Sequence, residues 1–213
     1  MKTIQTCPRT ELDRELIAIR DDLLRLGNRI DSAIDQAITA LLNHDRHLAR
    51  AVIAADQIIN QRRYQVEEAC LVTIARQQPV ATDLRRLIAT MLAAGELERM
   101  GDHAEGIAHI VLKLDAATQL PLSNFTRMAE AVRRMLRNSL YAFAYHDLQQ
   151  AARIPVLDDM IDEYYQQNIR SLLTYMLEDS TVIAEATYLL WVSHNLERIG
   201  DRCVNLSDRT VRR

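Results

Sequence analysis

Leu97-Glu98-Arg99-Met100-Gly101-Asp102 recurs as Leu196-Glu197-Arg198-Ile199-Gly200-Asp201, five of six residues identical at an offset of 197 − 98 = 99. Each hexapeptide sits in a stretch whose apolar residues step by three and four, so each reads as part of a helix. Other pairs repeat around them in the same order. His44-Asp45 and His146-Asp147 are 146 − 44 = 102 apart, and Asp56 with Asp158 and Asn60 with Asp162 share that offset. The change from 102 to 99 requires a three-residue deletion, which fits the turn before the last helix. Ordered matches of this kind across two halves imply duplication of one helical unit.

Working outward, Leu12, Leu16, Ile19, Leu23, Leu26, Ile30, Ile34, Ala37 and Leu41 follow one helical face, and Asn43-His44-Asp45 ends it. A second stripe runs through Leu48, Val52, Ala55, Ile59, Val66 and Cys70 to Gln77-Gln78. Pro79 suits a first helical turn and Asp83 its positive end, which predicts a third helix from about Pro79 to Lys113. Gly95, Gly101 and Gly106 within it mark close packing or bending. Asp115 to Pro121 reads as a linker. The pattern restarts at Phe125, Met128, Val132, Met135 and Phe143, then at Leu157, Ile161, Tyr164, Ile169 and Leu172. A sixth helix, capped by Ser180-Thr181, carries Val182, Ala186, Leu189, Leu196, Ile199 and Cys203. The expected fold is therefore all-α, with six long helices forming two pseudo-symmetric antiparallel three-helix bundles over residues 1–116 and 117–213.

Composition agrees. Five Gly and four widely separated Pro in 213 residues leave long stretches without a helix breaker. The net charge of −3, from 26 basic and 29 acidic residues, offers nothing to neutralise a nucleic-acid backbone. The N-terminal residues lack the apolar core of a signal peptide and no run approaches a membrane span, so a cytoplasmic protein is expected. Cys7, Cys70 and Cys203 are odd in number and lack a CxxC pair, which argues against a disulfide framework or a thiolate zinc site. Cys70 and Cys203 are expected to be buried.

The chemistry lies in the acids. Residues four apart on a helix are about 6 Å apart along the axis and about 40° apart around it, so Glu98 and Asp102 project side by side. Glu197, Asp201 and Asn205 form a similar row. Like charges so placed cost roughly 1 to 3 kcal/mol, which solvent and Arg99 or Arg198 can offset at any single pair. Here both third-helix rows are accompanied by second-helix pairs, Asp56 with Asn60 and Asp158 with Asp162. Antiparallel neighbours bringing these together would make an oxygen-rich pocket of the kind hard cations prefer. Glu105, on the side of Glu98, extends the first row. Magnesium, manganese, iron and a loosely selected zinc all suit such a donor set.

On these residues the chain resembles the PhoU family, whose hallmark is a duplicated E-x-x-x-D motif in the third helix of each of two three-helix bundles. The motif stands here as Glu98 to Asp102 and Glu197 to Asp201, and Gln78-Pro79-Val80-Ala81-Thr82-Asp83-Leu84-Arg85-Arg86 is similar to the family's stretch opening the first of those helices. The resemblance implies metal clusters, typically of iron or zinc. Their ligands would be Glu98, Asp102, Glu197, Asp201 and Asn205, with Asp56, Asn60, Asp158 and Asp162 beside them. It also implies a non-enzymatic repressor of the phosphate-starvation response. Such a repressor would contact a sensor histidine kinase and the ATPase of a phosphate ABC transporter, commonly as a homodimer. In one departure, Gly106 occupies the position where the first motif usually continues to Asn or Asp.

Two other functions compete. A di-iron carboxylate oxidase also uses facing glutamates, but it relies on Glu-x-x-His pairs, and no Glu in this chain has His three residues on. A metal-free helical scaffold would use the acid rows to dock a basic partner. His44 and His47 read as polar residues at a helix end, and His194, three residues before Glu197, is a minor ligand candidate. Tyr64, Tyr164, Tyr165, Tyr175 and Trp191 are expected to pack in the core.

Overall fold

The computed structural model describes residues 8–115 and 120–212. Its helices are α1 (Pro8–Leu42), α2 (Arg46–Gln77), α3 (Ala81–Val111), α4 (Ser123–Tyr145), the single turn α5 (Leu148–Ala151), α6 (Ile154–Glu178) and α7 (Ile183–Arg212). A 3₁₀ turn, Ser180–Val182, leads into α7. The fold is all-helical, with six long helices. Cys7 and residues 116–119 of the expected linker lie outside the described residues.

The repeated His-Asp pairs build the corner after the first helix of each half. His44 and His146 adopt φ of 50° and 56°, a left-handed conformation that turns the chain out of the helix. The next residue caps the following helix. Asp45 accepts from the backbone N–H groups of His47 and Leu48 at 2.9 Å, and Asp147 accepts from that of Gln150 at 2.9 Å. At the far end Gln78, also left-handed, closes α2, and Val80 precedes α3. Pro79 therefore lies in the connection, and the helix expected from Pro79 to Lys113 spans Ala81–Val111. Before α7 the capping side chain is Asp179, which accepts from the Thr181 backbone N–H at 2.8 Å, in place of Ser180 or Thr181.

Within the first half α1, α2 and α3 pack on one another, and within the second α4, α6 and α7 do the same. Contacts of α1 with α4 and of α3 with α7 join the halves. The α1 stripe is the reason: Leu23, Leu26, Ile30, Ile34 and Leu41 are buried, and so are their repeat equivalents Phe125, Met128, Val132, Leu136 and Phe143. The hexapeptide contributes Leu97, Met100, Leu196 and Ile199 to the same continuous core. Cys70 and Cys203 are buried, which pushes both thiols up to about 12, so they remain protonated hydrophobes. The aromatic expectation holds in part. Tyr164 and Tyr165 pack against the core, but Tyr64 and Trp191 are 60% and 56% exposed and Tyr175 is also exposed. Helical spacing among apolar residues marks a face without saying how far that face extends beyond the neighbouring helix.

Candidate metal centre

The glycine of each hexapeptide sets how closely the second helix approaches the third. A Cβ built on Gly101 would lie 3.1 Å from Ile59 Cγ2 and 3.5 Å from Asp56 Oδ1. On Gly200 it would lie 2.9 Å from Asp158 Oδ1 and 3.3 Å from Ile161 Cδ1. Asp56 corresponds to Asp158 and Ile59 to Ile161 in the repeat, so the same contact is built twice. Each glycine places an aspartate from the second helix directly beside the acid row of the third.

In the first half this brings Asp56, Asp102 and Glu105 together, with one carboxylate oxygen of each within 4.8 Å of the others. Asp56 is only 9% exposed. Its Oδ2 accepts from Asn60 Nδ2 at 2.6 Å, while its Oδ1 is buried with no hydrogen-bond partner. Burial raises Asp56 to about 6, with Glu105, Asp102 and Glu98 adding repulsion. Glu98 stands somewhat apart. Its Oε1 lies 3.7 Å from Nε of Arg63, whose Nη1 reaches Glu67 at 2.7 Å. Burial, then Asp102, raises the Glu98 carboxyl despite that cation. Neither Arg63 nor Glu67 was among the residues singled out in the sequence, because both lie outside the repeated pairs.

In the second half burial raises Asp158 to about 6, with Asp162 and Asp201 next in effect. Burial followed by Asp201 raises Asp162 and Glu197 as well. Asp158 and Asp162 of α6 thus lie within electrostatic reach of Glu197 and Asp201 of α7. Among the described residues no trio as tight as that of the first half forms here. Arg198 Nη1 draws Asp201 Oδ2 along α7 at 2.7 Å, and His194 Nδ1 lies 3.5 Å from Glu197 Oε2. That Glu197 oxygen is buried without a hydrogen bond. The Asn205 amide is turned elsewhere and donates to Glu96 Oε2 at 3.3 Å.

The two halves hold the same number of acids in different places. Asn60 corresponds to Asp162, while Glu105 corresponds to Val204, so the first half has its extra carboxylate on the third helix and the second half on the second. The donor set is all oxygen in both, and each contains a buried oxygen, Asp56 Oδ1 or Glu197 Oε2, that no protein donor satisfies. A buried carboxylate oxygen without a donor costs stability, and a hard cation removes that cost more fully than a neutral donor does. The residues present fit such an ion.

The glycines make separable predictions. No atom lies within 4 Å of a Cβ on Gly95, and its repeat equivalent His194 carries a full side chain, so Gly95→Ala is expected to raise stability by about 0.5–1 kcal/mol. Gly200→Ala must push Asp158 and Ile161 aside and is expected to lower stability by about 1–3 kcal/mol. Urea midpoints should fall in the order Gly95→Ala, parent, Gly200→Ala.

The description "PhoU domain" matches the chain twice, over residues 23–111 and 125–210. The phosphate-specific transport system accessory protein PhoU of Edwardsiella tarda is 36% identical over 199 residues, covering 93% of this chain and 82% of that protein. The PhoU homolog of Caulobacter vibrioides is 36% identical over 198 residues, covering 91% and 85%. Crystal structures agree. PhoU from Pseudomonas aeruginosa superposes with a TM-score of 0.87 at 32% identity, covering 93% of this chain and 96% of the other. The phosphate transport system regulatory protein PhoU from Streptococcus pneumoniae gives 0.88 at 32%, covering 94% and 95%. These relatives bear the names of accessory and regulatory proteins, not of enzymes. With the motif, the duplication, the helical architecture and these matches in agreement, the chain belongs to the PhoU family.

Proposed function

We propose that this protein is a cytoplasmic, metal-loaded regulator of phosphate uptake that represses the phosphate-starvation response. In this role it would act as an adaptor between a phosphate ABC transporter ATPase and a sensor histidine kinase. The names of the relatives support the phosphate-transport part, and among the described residues no helix is long and apolar enough to cross a membrane. The observation that carries the metal part is the pair of acid clefts, each with a buried carboxylate oxygen lacking a hydrogen bond.

Asp56, Asp102 and Glu105 would hold an ion in the first half, with Glu98 and Asn60 at its margin. Asp158, Asp162, Glu197 and Asp201 would hold one in the second. A bound cation supplies positive charge that offsets the repulsion between acids on facing helices. Asp56 and Asp158 fix the second-helix side of each cleft because Gly101 and Gly200 admit them. Arg63 and Arg198 hold Glu98 and Asp201 in place. The resemblance to the family points to iron or zinc, while the all-oxygen donor set by itself suits manganese and magnesium as well. Asn205 would join the second site only by leaving Glu96.

The regulatory role is tested by recovering the tagged full-length chain from phosphate-replete cells and probing for the two named partners. Elemental analysis of untagged protein is run in parallel. Stoichiometric iron or zinc together with the ATPase or the kinase is expected. Metal without either partner would sink the adaptor role alone, and partners without metal would favour a metal-free scaffold.

A further inference from the structure

We infer that the face joining the two repeats is keyed by charge, so that each repeat accepts the other and rejects a copy of itself. Asp31 and Asp35 of α1 occupy the same repeat positions as Arg133 and Arg137 of α4, since 133 − 31 and 137 − 35 are both 102. In the structure these equivalent residues meet one another. Arg133 donates to Asp31 through Nε at 3.0 Å and through Nη2 at 3.1 Å, and its Nη1 donates to Asp35. Arg137 Nη1 donates to Asp31 at 3.0 and 3.2 Å. The contact of Asp35 with Arg133 and that of Arg137 with Asp31 are the same contact related by exchange of the repeats. The crossing of α1 and α4 therefore lies on the pseudo-dyad, where like would meet like if two identical repeats were paired.

A second contact, between α3 and α7, shows the same division. Glu96 is 6% exposed and accepts from Asn205 at 3.3 Å, with Arg202 at 3.5 Å and Arg209 at 3.6 Å. At an offset of 99, Glu96 corresponds to Asn195, Arg202 to His103 and Asn205 to Gly106. The exchanged contact is present in neutral form. Asn195 Oδ1 lies 3.0 Å from His103 Nδ1, and a Cβ on Gly106 would lie 3.1 Å from that same oxygen. The charged version runs one way only, from the first repeat's acid to the second repeat's arginines.

Pairing two first repeats would set Asp31 and Asp35 against themselves and bury Glu96 opposite His103 and Gly106. Pairing two second repeats would gather Arg133 and Arg137 and leave Arg202 facing Asn195. Like charges at hydrogen-bonding distance are unfavourable, most of all at the partly buried Asp31 and Arg133 and the buried Glu96, whereas the observed network gives each of these two carboxylates a cationic partner. The apolar part of the face disfavours only one of the two like pairings. A Cβ on Gly27 would collide with Leu140; two first repeats would set Gly27 against Ile38, the repeat equivalent of Leu140, whereas two second repeats would set Ala129, the equivalent of Gly27, against Leu140 and bring in that colliding Cβ. Duplication of one unit yields a face that pairs with its own copy. Charge divergence at these positions confines pairing to unlike repeats.

Full-length charge variants decide the matter. Asp31→Arg with Asp35→Arg makes both faces basic, and the urea midpoint is expected to fall by about 1 M. Asp31→Asn with Asp35→Asn removes the attraction without adding repulsion and should fall by clearly less. The fourfold reversal, which adds Arg133→Asp and Arg137→Asp, should recover at least half of the loss, and that recovery should shrink in high salt. Circular dichroism before titration establishes that each variant is helical. A basic double variant as stable as the parent, or no more destabilised than the neutral one, overturns the inference. A fourfold reversal no more stable than the basic double variant, or an unfolded fourfold variant, does so equally.

Discussion

Replacing Asp102 and Asp201 together by alanine is expected to abolish stoichiometric cation binding while leaving helical circular dichroism nearly intact. Each aspartate closes its E-x-x-x-D motif, and each faces the aspartate, buried Asp56 or partly buried Asp158, that Gly101 or Gly200 admits from the neighbouring helix. Removing one leaves Asp56 with Glu105 on one side and Asp158 with Asp162 and Glu197 on the other. Those sets keep a negative potential but lose the acid lying between the two helices. Asp102 is exposed and Asp201 partly so, and neither lies in the apolar core, so the helices retain their packing. Because each substitution also removes a charge that repels its neighbours, metal-free stability should be unchanged or slightly higher. Elemental analysis after gel filtration is the measurement. Bound metal at parental stoichiometry would show that the ion sits elsewhere.

The second large effect is a reversal of pH dependence by the cation. Burial, with neighbouring acids, raises Asp56 and Asp158 from an ordinary 3.8 to about 6. Between about pH 4 and 6 the folded chain therefore holds protons that the unfolded chain has released. Metal-free stability falls as pH rises through that window, and the full cost is present above about 6. Glu98, Asp162 and Glu197 are shifted in the same direction. His103 opposes them: burial lowers it, so its contribution is lost as pH falls below its ordinary 6.5. Comparison with Asp56→Asn plus Asp158→Asn cancels that opposing part and isolates the two aspartates. A cation competes with the same protons, so its stabilisation should be small at pH 4.5 and full at pH 7.5. With free ion at 100 times the dissociation constant, each site contributes about 2.7 kcal/mol. Urea titrations at both pH values, with and without manganese, measure this. Metal-free stability that rises relative to the aspartate-free variant between pH 4 and 6 would remove the two aspartates as the origin of the effect.

The duplication was legible because it is written in spacing. Apolar residues at three and four, and equivalent residues at 99 and 102, follow from helical periodicity and from copying, and neither depends on how the helices finally pack. The stripe from Leu12 to Leu41 faces the core as its period requires, and the repeated His-Asp pairs mark the corners because a left-handed residue followed by a capping aspartate is a local motif. The cap before α7 was less legible, because Asp, Ser and Thr stand side by side there and each can cap a helix. Asp179 precedes Ser180 and Thr181 and takes the cap, since its carboxylate reaches the Thr181 N–H and side chain at once.

What the chain determined alone was therefore its helices, their repetition and the residues carrying negative charge, all of which are properties of neighbours along the sequence. Only packing decided that Glu105 joins Asp56 and Asp102, that Arg63 holds Glu98 and that Asn205 turns to Glu96. Packing likewise set Asp31 and Asp35 against Arg133 and Arg137. Each of these choices depends on which turn of one helix lies opposite which turn of another. That register is fixed by side-chain volume at the crossing, by a missing Cβ at Gly101, Gly200 and Gly27, and no one-dimensional period contains it.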